Sequence, residues 1–114
     1  MTPYPSVPAV TAADVPQDAL LLDVREPHEW AAGRAGEAVH IPMGEVVERF
    51  GEITELAAER RVFVMCRVGG RSAQVTRYLA AQGIDAVNVD GGMLAWAEAG
   101  RPLVGDQGQE PFVL

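Results

Sequence analysis

Lysine is absent from this sequence: all nine basic residues are arginine, set against sixteen acidic ones for a formal net charge of −7. That balance argues against general binding to nucleic acid or to an anionic membrane surface. Cysteine occurs once, at Cys66, which excludes an intrachain disulfide. One cysteine and two histidines also leave no set of ligands for a structural zinc, so no metal is expected. No apolar run approaches the length of a membrane span, and no basic n-region with an apolar h-region opens the chain, so the cytoplasm is the expected location. Internal repeats, linkers and low-complexity tracts are missing too. One domain over residues 1–114 is therefore expected, with an extended lead-in at 1–7 and a tail at 104–114. A chain of this length buries about two-thirds of its unfolded surface in a single core.

What is present centres on Arg61 to Gly83, RVFVMCRVGGRSAQVTRYLAAQG. Val62-Phe63-Val64-Met65 is a β-branched apolar run bounded by charge and glycine, the pattern of a buried strand. Ser72 before AQVTRYLAAQ and Gly83 after it read as the N-cap and stop of a helix. Between strand and helix lies CRVGGR. Backbone N–H groups and the positive end of the helix would converge on Cys66.

Elsewhere strands alternate with helices. Ala9-Val10 starts a short strand, and Thr11 caps a brief helix across AADV. Leu20 to Asp23 is a strand covered on both faces. Pro27 to Ala32 is a short helix with Trp30 in the core and His28 in solvent. Val39 to Ile41 is a strand, and His40 reads as a hydrogen-bonded turn histidine. Met43 to Arg60 is helical in two pieces, EVVERF and ITELAAER, broken at Gly51. Ala86 to Val89 is a further strand ending at Asp90, and Gly91-Gly92 turn into a last helix, MLAWAEAG, anchored by Trp96. PFVL at the end could cover the domain or a partner. The order predicts an α/β sandwich, a mostly parallel sheet with helices on both faces. Functional groups in such a sheet collect beyond the carboxyl ends of the strands, which brings Asp23, Arg25 and the cysteine loop to one edge.

Most lone cysteines that end a core strand are small hydrophobes. Here Arg67, Gly69, Gly70, Arg71 and a helix start lie within six residues, and together they favour a thiolate. A free thiol titrates at about 8.5, and helix N-termini and arginines lower that value. Gly69 and Gly70 are expected to take positive φ and bring amides to the sulfur. Cysteine loops that hold a tetrahedral phosphate or arsenate place their arginine one residue further on. The shorter ring suits one extra atom on the cysteine, a persulfide sulfur, better than a bound oxyanion. Asp23 and Arg25 are expected to pair structurally rather than to react.

CRVGGRS resembles the active-site loop of the rhodanese-like domain family. LLLDVREPHEWAAG (20–33), AVHIPMGE (38–45) and VNVDGGMLAWAEAGRPL (87–103) are similar to three further blocks of that family, in its order. The segment Arg34-Ala35-Gly36-Glu37 departs from the family, which has histidine, isoleucine, proline and glycine there, so local packing is where a difference is expected. The resemblance implies a rhodanese-like α/β sandwich and a sulfurtransferase of the thiosulfate type. Cys66 would be the catalytic nucleophile, with Arg67, Val68, Gly69, Gly70, Arg71 and Ser72 as the substrate-binding loop and Asp23 and Arg25 as structural support. It implies a small anionic sulfur donor such as thiosulfate, and cyanide, a cellular thiol or a protein thiol as acceptor. No metal or organic cofactor is needed. Two other readings stand beside it: a rhodanese-fold binding or regulatory module without turnover, and a cysteine-based phosphatase or arsenate reductase.

Overall fold

A computed structural model describes residues 7–106 and 110–114; the lead-in at 1–6 and residues 107–109 of the tail lie outside the described residues. Among the described residues five strands form one sheet: β1 (Ala9–Thr11), β2 (Leu20–Asp23), β3 (Val39–His40), β4 (Val62–Met65) and β5 (Ala86–Asp90). Their order is β1-β5-β4-β2-β3, and every pairing is parallel. Helices α1 (Pro27–Ala32), α2 (Phe50–Ala57), α3 (Gly70–Ala81) and α4 (Gly92–Glu98) connect and cover the strands.

β4 is central and buried along its whole length, so both of its faces are apolar. Its side chains alternate between two cores. Val62, Val64 and Cys66 pack with Ile53 of α2 and Val75 and Leu79 of α3. Phe63 and Met65 pack with Met93 and Trp96 of α4. Full burial of one such side chain stabilises the fold by about 1.5–3 kcal/mol. The expected α/β sandwich with both faces covered is therefore the fold observed.

In register, Asp23 of β2 lies beside Met65 of β4. The carboxyl ends of these two strands thus share an edge, and Cys66 is the next residue beyond it. α4 fixes the same edge from the other face. The amides of Met93 and Leu94 donate to the carbonyls of Cys66 (2.9 Å) and Arg67 (3.1 Å). A side chain at Gly92 would strike those carbonyls, and its φ of +53° is a conformation glycine adopts readily.

Several local expectations are corrected. EVVERF is not a helix: Met43–Glu45 form one 3-10 turn, residues 46–49 continue as turns, and α2 begins at Phe50. Gly51 lies inside α2, exposed, and does not break it. Arg49, at the N-cap, pairs with Glu45 at 3.1 Å and with Glu52 at 2.8 Å across that boundary. Thr11 precedes a 3-10 turn over Ala12–Asp14, but its hydroxyl donates to the Asp14 carboxylate and caps no backbone group. Trp30 is half-buried, not core. It stacks on His40 at 4.6 Å with the rings nearly parallel, and Arg34 lies over it at 4.7 Å. His40 is a strand residue whose Nε2 meets the Arg25 carbonyl at 2.7 Å, so that nitrogen carries the proton.

The segment 34–37 packs through the tail. Arg34 and Val104 exchange backbone hydrogen bonds of 2.9 Å as an isolated antiparallel bridge, and Arg34 reaches Asp106 at 2.8 Å. Ala35 is buried in the α4-side core, so small residues replace larger ones without exposing that core.

Candidate active site

Cys66 is the first residue past β4, and its side chain is 1 % exposed. Arg67 and Val68 follow on the surface. Gly69 turns the chain at φ +109° as the N-cap of α3, and Gly70 is the first helical residue. Only Gly69 of the two takes positive φ, so the turn rests on one glycine rather than two. Ser72 is not the cap. It sits in the first turn of α3, fully buried, with its hydroxyl turned toward the sulfur.

Donors from the loop and the first turn of α3 surround Cys66 Sγ. The Gly69 amide lies at 3.1 Å, the Ser72 hydroxyl at 3.3 Å and the Ser72 amide at 3.4 Å. Burial pushes the thiol up, but the Ser72 hydroxyl and the amides of Ser72, Gly69 and Val68 outweigh it, and the thiol sits below its ordinary value. Hydrogen-bond donors stabilise the anion more than the neutral thiol. The sequence pointed to amides, the helix start and arginines for this effect; the amides do bond the sulfur, and the Ser72 hydroxyl joins them.

The arginines are engaged otherwise. Arg71 grips the Glu29 carboxylate with both terminal nitrogens, at 2.7 and 2.9 Å. Glu29 also accepts the Glu26 amide at 2.9 Å, which joins the start of α1 to the start of α3. Its hydrogen bonds to Arg71 hold the carboxyl well below the usual range, at about 2, and the same contact raises Arg71. Arg67 is exposed and donates from Nε to the backbone oxygen of Leu114 at 2.9 Å.

Asp23 and Arg25 are both fully buried and paired at 2.7 Å. Arg25 further donates to the carbonyls of Glu29 (3.2 Å) and Gly33 (2.8 Å), spanning the length of α1. Removing one member of such a pair costs about 3–5 kcal/mol, because the other charge stays buried. Asp23 is thus taken by Arg25, and Arg71 finds its carboxylate at Glu29 instead. Asn88 on β5 ties the loop from the other side, donating from Nδ2 to the Gly69 carbonyl at 3.1 Å.

The structure therefore gathers Cys66, Gly69, Ser72 and Arg71 around one point, with Asp23 and Arg25 behind it. The sequence reading missed Glu29 and Asn88. Glu29 had a signal, since a glutamate three residues after Glu26 at a helix start reads as a capping pair. Asn88 had one too: a polar residue inside a buried β-branched run needs a partner. Among the described residues no cluster of histidine, cysteine or carboxylate could hold a metal ion, and no helix is long and apolar enough to cross a membrane.

Residues 10–99 match the family described as Rhodanese-like domain, and the chain belongs to that family. Among its relatives is a protein of Allochromatium vinosum named sulfurtransferase, 41% identical over 93 residues, 81% of this chain and 84% of the relative. A rhodanese-related protein from Thermoplasma volcanium has the same fold at 33% identity, with a TM-score of 0.77 over 85% of this chain and 97% of its own. A Rhodopseudomonas palustris protein described as a possible tyrosine phosphatase has a TM-score of 0.77 over 86% of this chain and 85% of its own. At 20% identity that likeness is one of fold alone.

Proposed function

We propose that this protein is a sulfurtransferase that moves a sulfane sulfur from a small anionic donor such as thiosulfate to a thiophilic acceptor through a Cys66 persulfide. The observation that carries the reading is the buried Cys66 sulfur ringed by the Ser72 hydroxyl and the amides of Gly69 and Ser72. A relative 41% identical that is named sulfurtransferase supports the same class.

In the first half-reaction the Cys66 thiolate attacks the outer sulfur of thiosulfate. The sulfur–sulfur bond of the donor breaks, sulfite leaves with the electron pair, and Cys66 carries a persulfide anion. Amides of Arg67 to Arg71 stabilise that outer sulfur as the inner one keeps its bonds to Ser72 and Gly69. Arg67, exposed at the mouth, attracts the donor. In the second half-reaction cyanide, or the thiolate of a small molecule or protein, attacks the outer sulfur. Thiocyanate or a new persulfide leaves, and the Cys66 thiolate returns. Asp23 and Arg25 hold the edge beneath the loop and take no part in the exchange.

Phosphate-ester hydrolysis fits less well. It would ask Arg71 to grip a phosphate, and the Arg71 fork is already filled by Glu29. A binding module without turnover has no use for donors trained on a thiolate. Thiosulfate treatment followed by intact mass measurement tests the proposal. One added sulfur, lost on cyanide treatment with release of thiocyanate, is the expected result. An unchanged mass with Cys66 still alkylatable would refute it.

A further inference from the structure

The chain beyond the family match reaches back to the loop. Phe112 donates its amide to the Ala32 carbonyl at the end of α1 (3.0 Å), Val113 packs against the α4-side core, and the Leu114 backbone oxygen takes the Arg67 Nε–H. Residues 112–114 thus run from α1 to the residue next to Cys66. Val68 of the loop and Phe112 and Leu114 of this segment are each about half exposed apolar residues. Cys66, the neighbour of Arg67, is almost wholly buried, so reaching its sulfur needs an opening at the loop to which this segment is fastened.

We propose that residues 112–114 are a strap at the mouth of the Cys66 site, one that admits small sulfur donors and acceptors and retards bulky thiols. The strap has two fastenings, the Phe112 amide on Ala32 and the Arg67 side chain on Leu114. A flexible tail would leave the mouth open. This tail is held at both ends with a core contact between them. Its size selectivity for acceptors rests on the sulfurtransferase reading; its control of access to the sulfur does not.

Gly33 offers a clean way to lift it. Its φ of 177° is extended backbone that any residue adopts, so alanine brings no backbone strain. The added Cβ would run into the Phe112 carbonyl and amide. Gly33→Ala therefore displaces the strap without altering the loop or the strap's own residues. Deleting residues 112–114 gives a second variant, in case the alanine is absorbed elsewhere.

The readout is the rate of Cys66 alkylation by iodoacetamide and by a fluorescein maleimide, compared at one pH. The bulky-to-small rate ratio should rise about tenfold in both variants, a barrier change of about 1.4 kcal/mol. Sulfur transfer to glutathione should gain on transfer to cyanide by a similar factor. An unchanged ratio in the deletion variant, with circular dichroism and melting showing the fold retained, overturns the strap. A raised ratio with no sulfur transfer by any of the proteins leaves the strap standing and refutes the proposed activity.

Discussion

Arg71 and Glu29, 42 residues apart in the chain, meet fork to fork at 2.7 and 2.9 Å. The pair closes the gap between the first turn of α3, which carries Ser72, and the first turn of α1. It also decides what Arg71 does. A guanidinium whose two terminal nitrogens are bound to a carboxylate is a brace first, which leaves Arg67 as the exposed arginine of the loop.

Breaking this brace should be visible in stability. Glu29→Gln is expected to lower the unfolding free energy by about 1–2 kcal/mol at neutral pH, since Glu29 is largely buried while a third of the Arg71 side chain stays in water and screens the pair. The pH dependence has a definite sign. The folded carboxyl lies near 2 and the ordinary value is 4.5. Its contribution is therefore complete above pH 4.5 and is lost as pH falls through about 2. Urea melts of both proteins at neutral and acid pH check this: the gap between them should narrow across that window. A constant gap would mean that the carboxylate's charge is not what matters.

Arg71→Lys keeps the charge and loses the fork. The expected outcome is a lower melting temperature with little change in the Michaelis constant for thiosulfate. A strongly raised constant with unchanged melting would instead make Arg71 a donor clamp.

Ser72→Ala removes the hydroxyl donor to Cys66 Sγ but keeps the backbone one. The thiol should become less acidic, so the alkylation profile moves to higher pH. The rate near neutrality should drop and the alkaline plateau stay near wild type. Alkylation measured against pH separates this from simple loss of access, which lowers the plateau as well.

Cys66→Ser should fold with a melting curve close to wild type and take up no sulfur from thiosulfate. A hydroxyl at neutral pH is a far poorer nucleophile than a thiolate. Wild-type transfer rates in this variant would remove Cys66 from the mechanism.

Gly51 gives a prediction independent of the site. It lies within α2, exposed, and a Cβ there meets nothing within 4 Å. Gly51→Ala should stabilise the protein by about 0.5–1 kcal/mol in a thermal or denaturant melt. A loss of stability would show that α2 bends at this point after all.

The strands were legible because continuous apolar runs such as LLLD and VFVM have one solution, burial on both faces. The bounds of β2, β4 and α1 follow directly from those runs and from Pro27. The loop was legible from the spacing of Cys66, Gly69 and Arg71. Less was legible where a residue has several stable uses. Ser72 suits a cap, and Gly69 took that place because the turn needs positive φ, which freed the hydroxyl for the sulfur. Gly51 suits a break, yet an exposed first turn tolerates it. Glu29 reads as a capping residue of α1, and its second use appears only when α3 brings Arg71 from a distant part of the chain. Trp30 reads as core, but His40 and Arg34 sandwich it at the surface. The tail's course depends on a missing side chain at Gly33, a vacancy that hydropathy does not register.

The alternation of β4 carries one more consequence. Val62, Val64 and Cys66 belong to the core beneath α2 and α3, and Phe63 and Met65 to the core beneath α4. The address of the Cys66 thiol is therefore a matter of parity. Deleting or inserting a single residue in β4 would exchange odd for even positions and turn the thiol toward the opposite core. Its hydrogen-bond donors, on α3 and the turn before it, would then face Met65 after an insertion or Arg67 after a deletion. Such a variant would keep every residue of the loop and have no site.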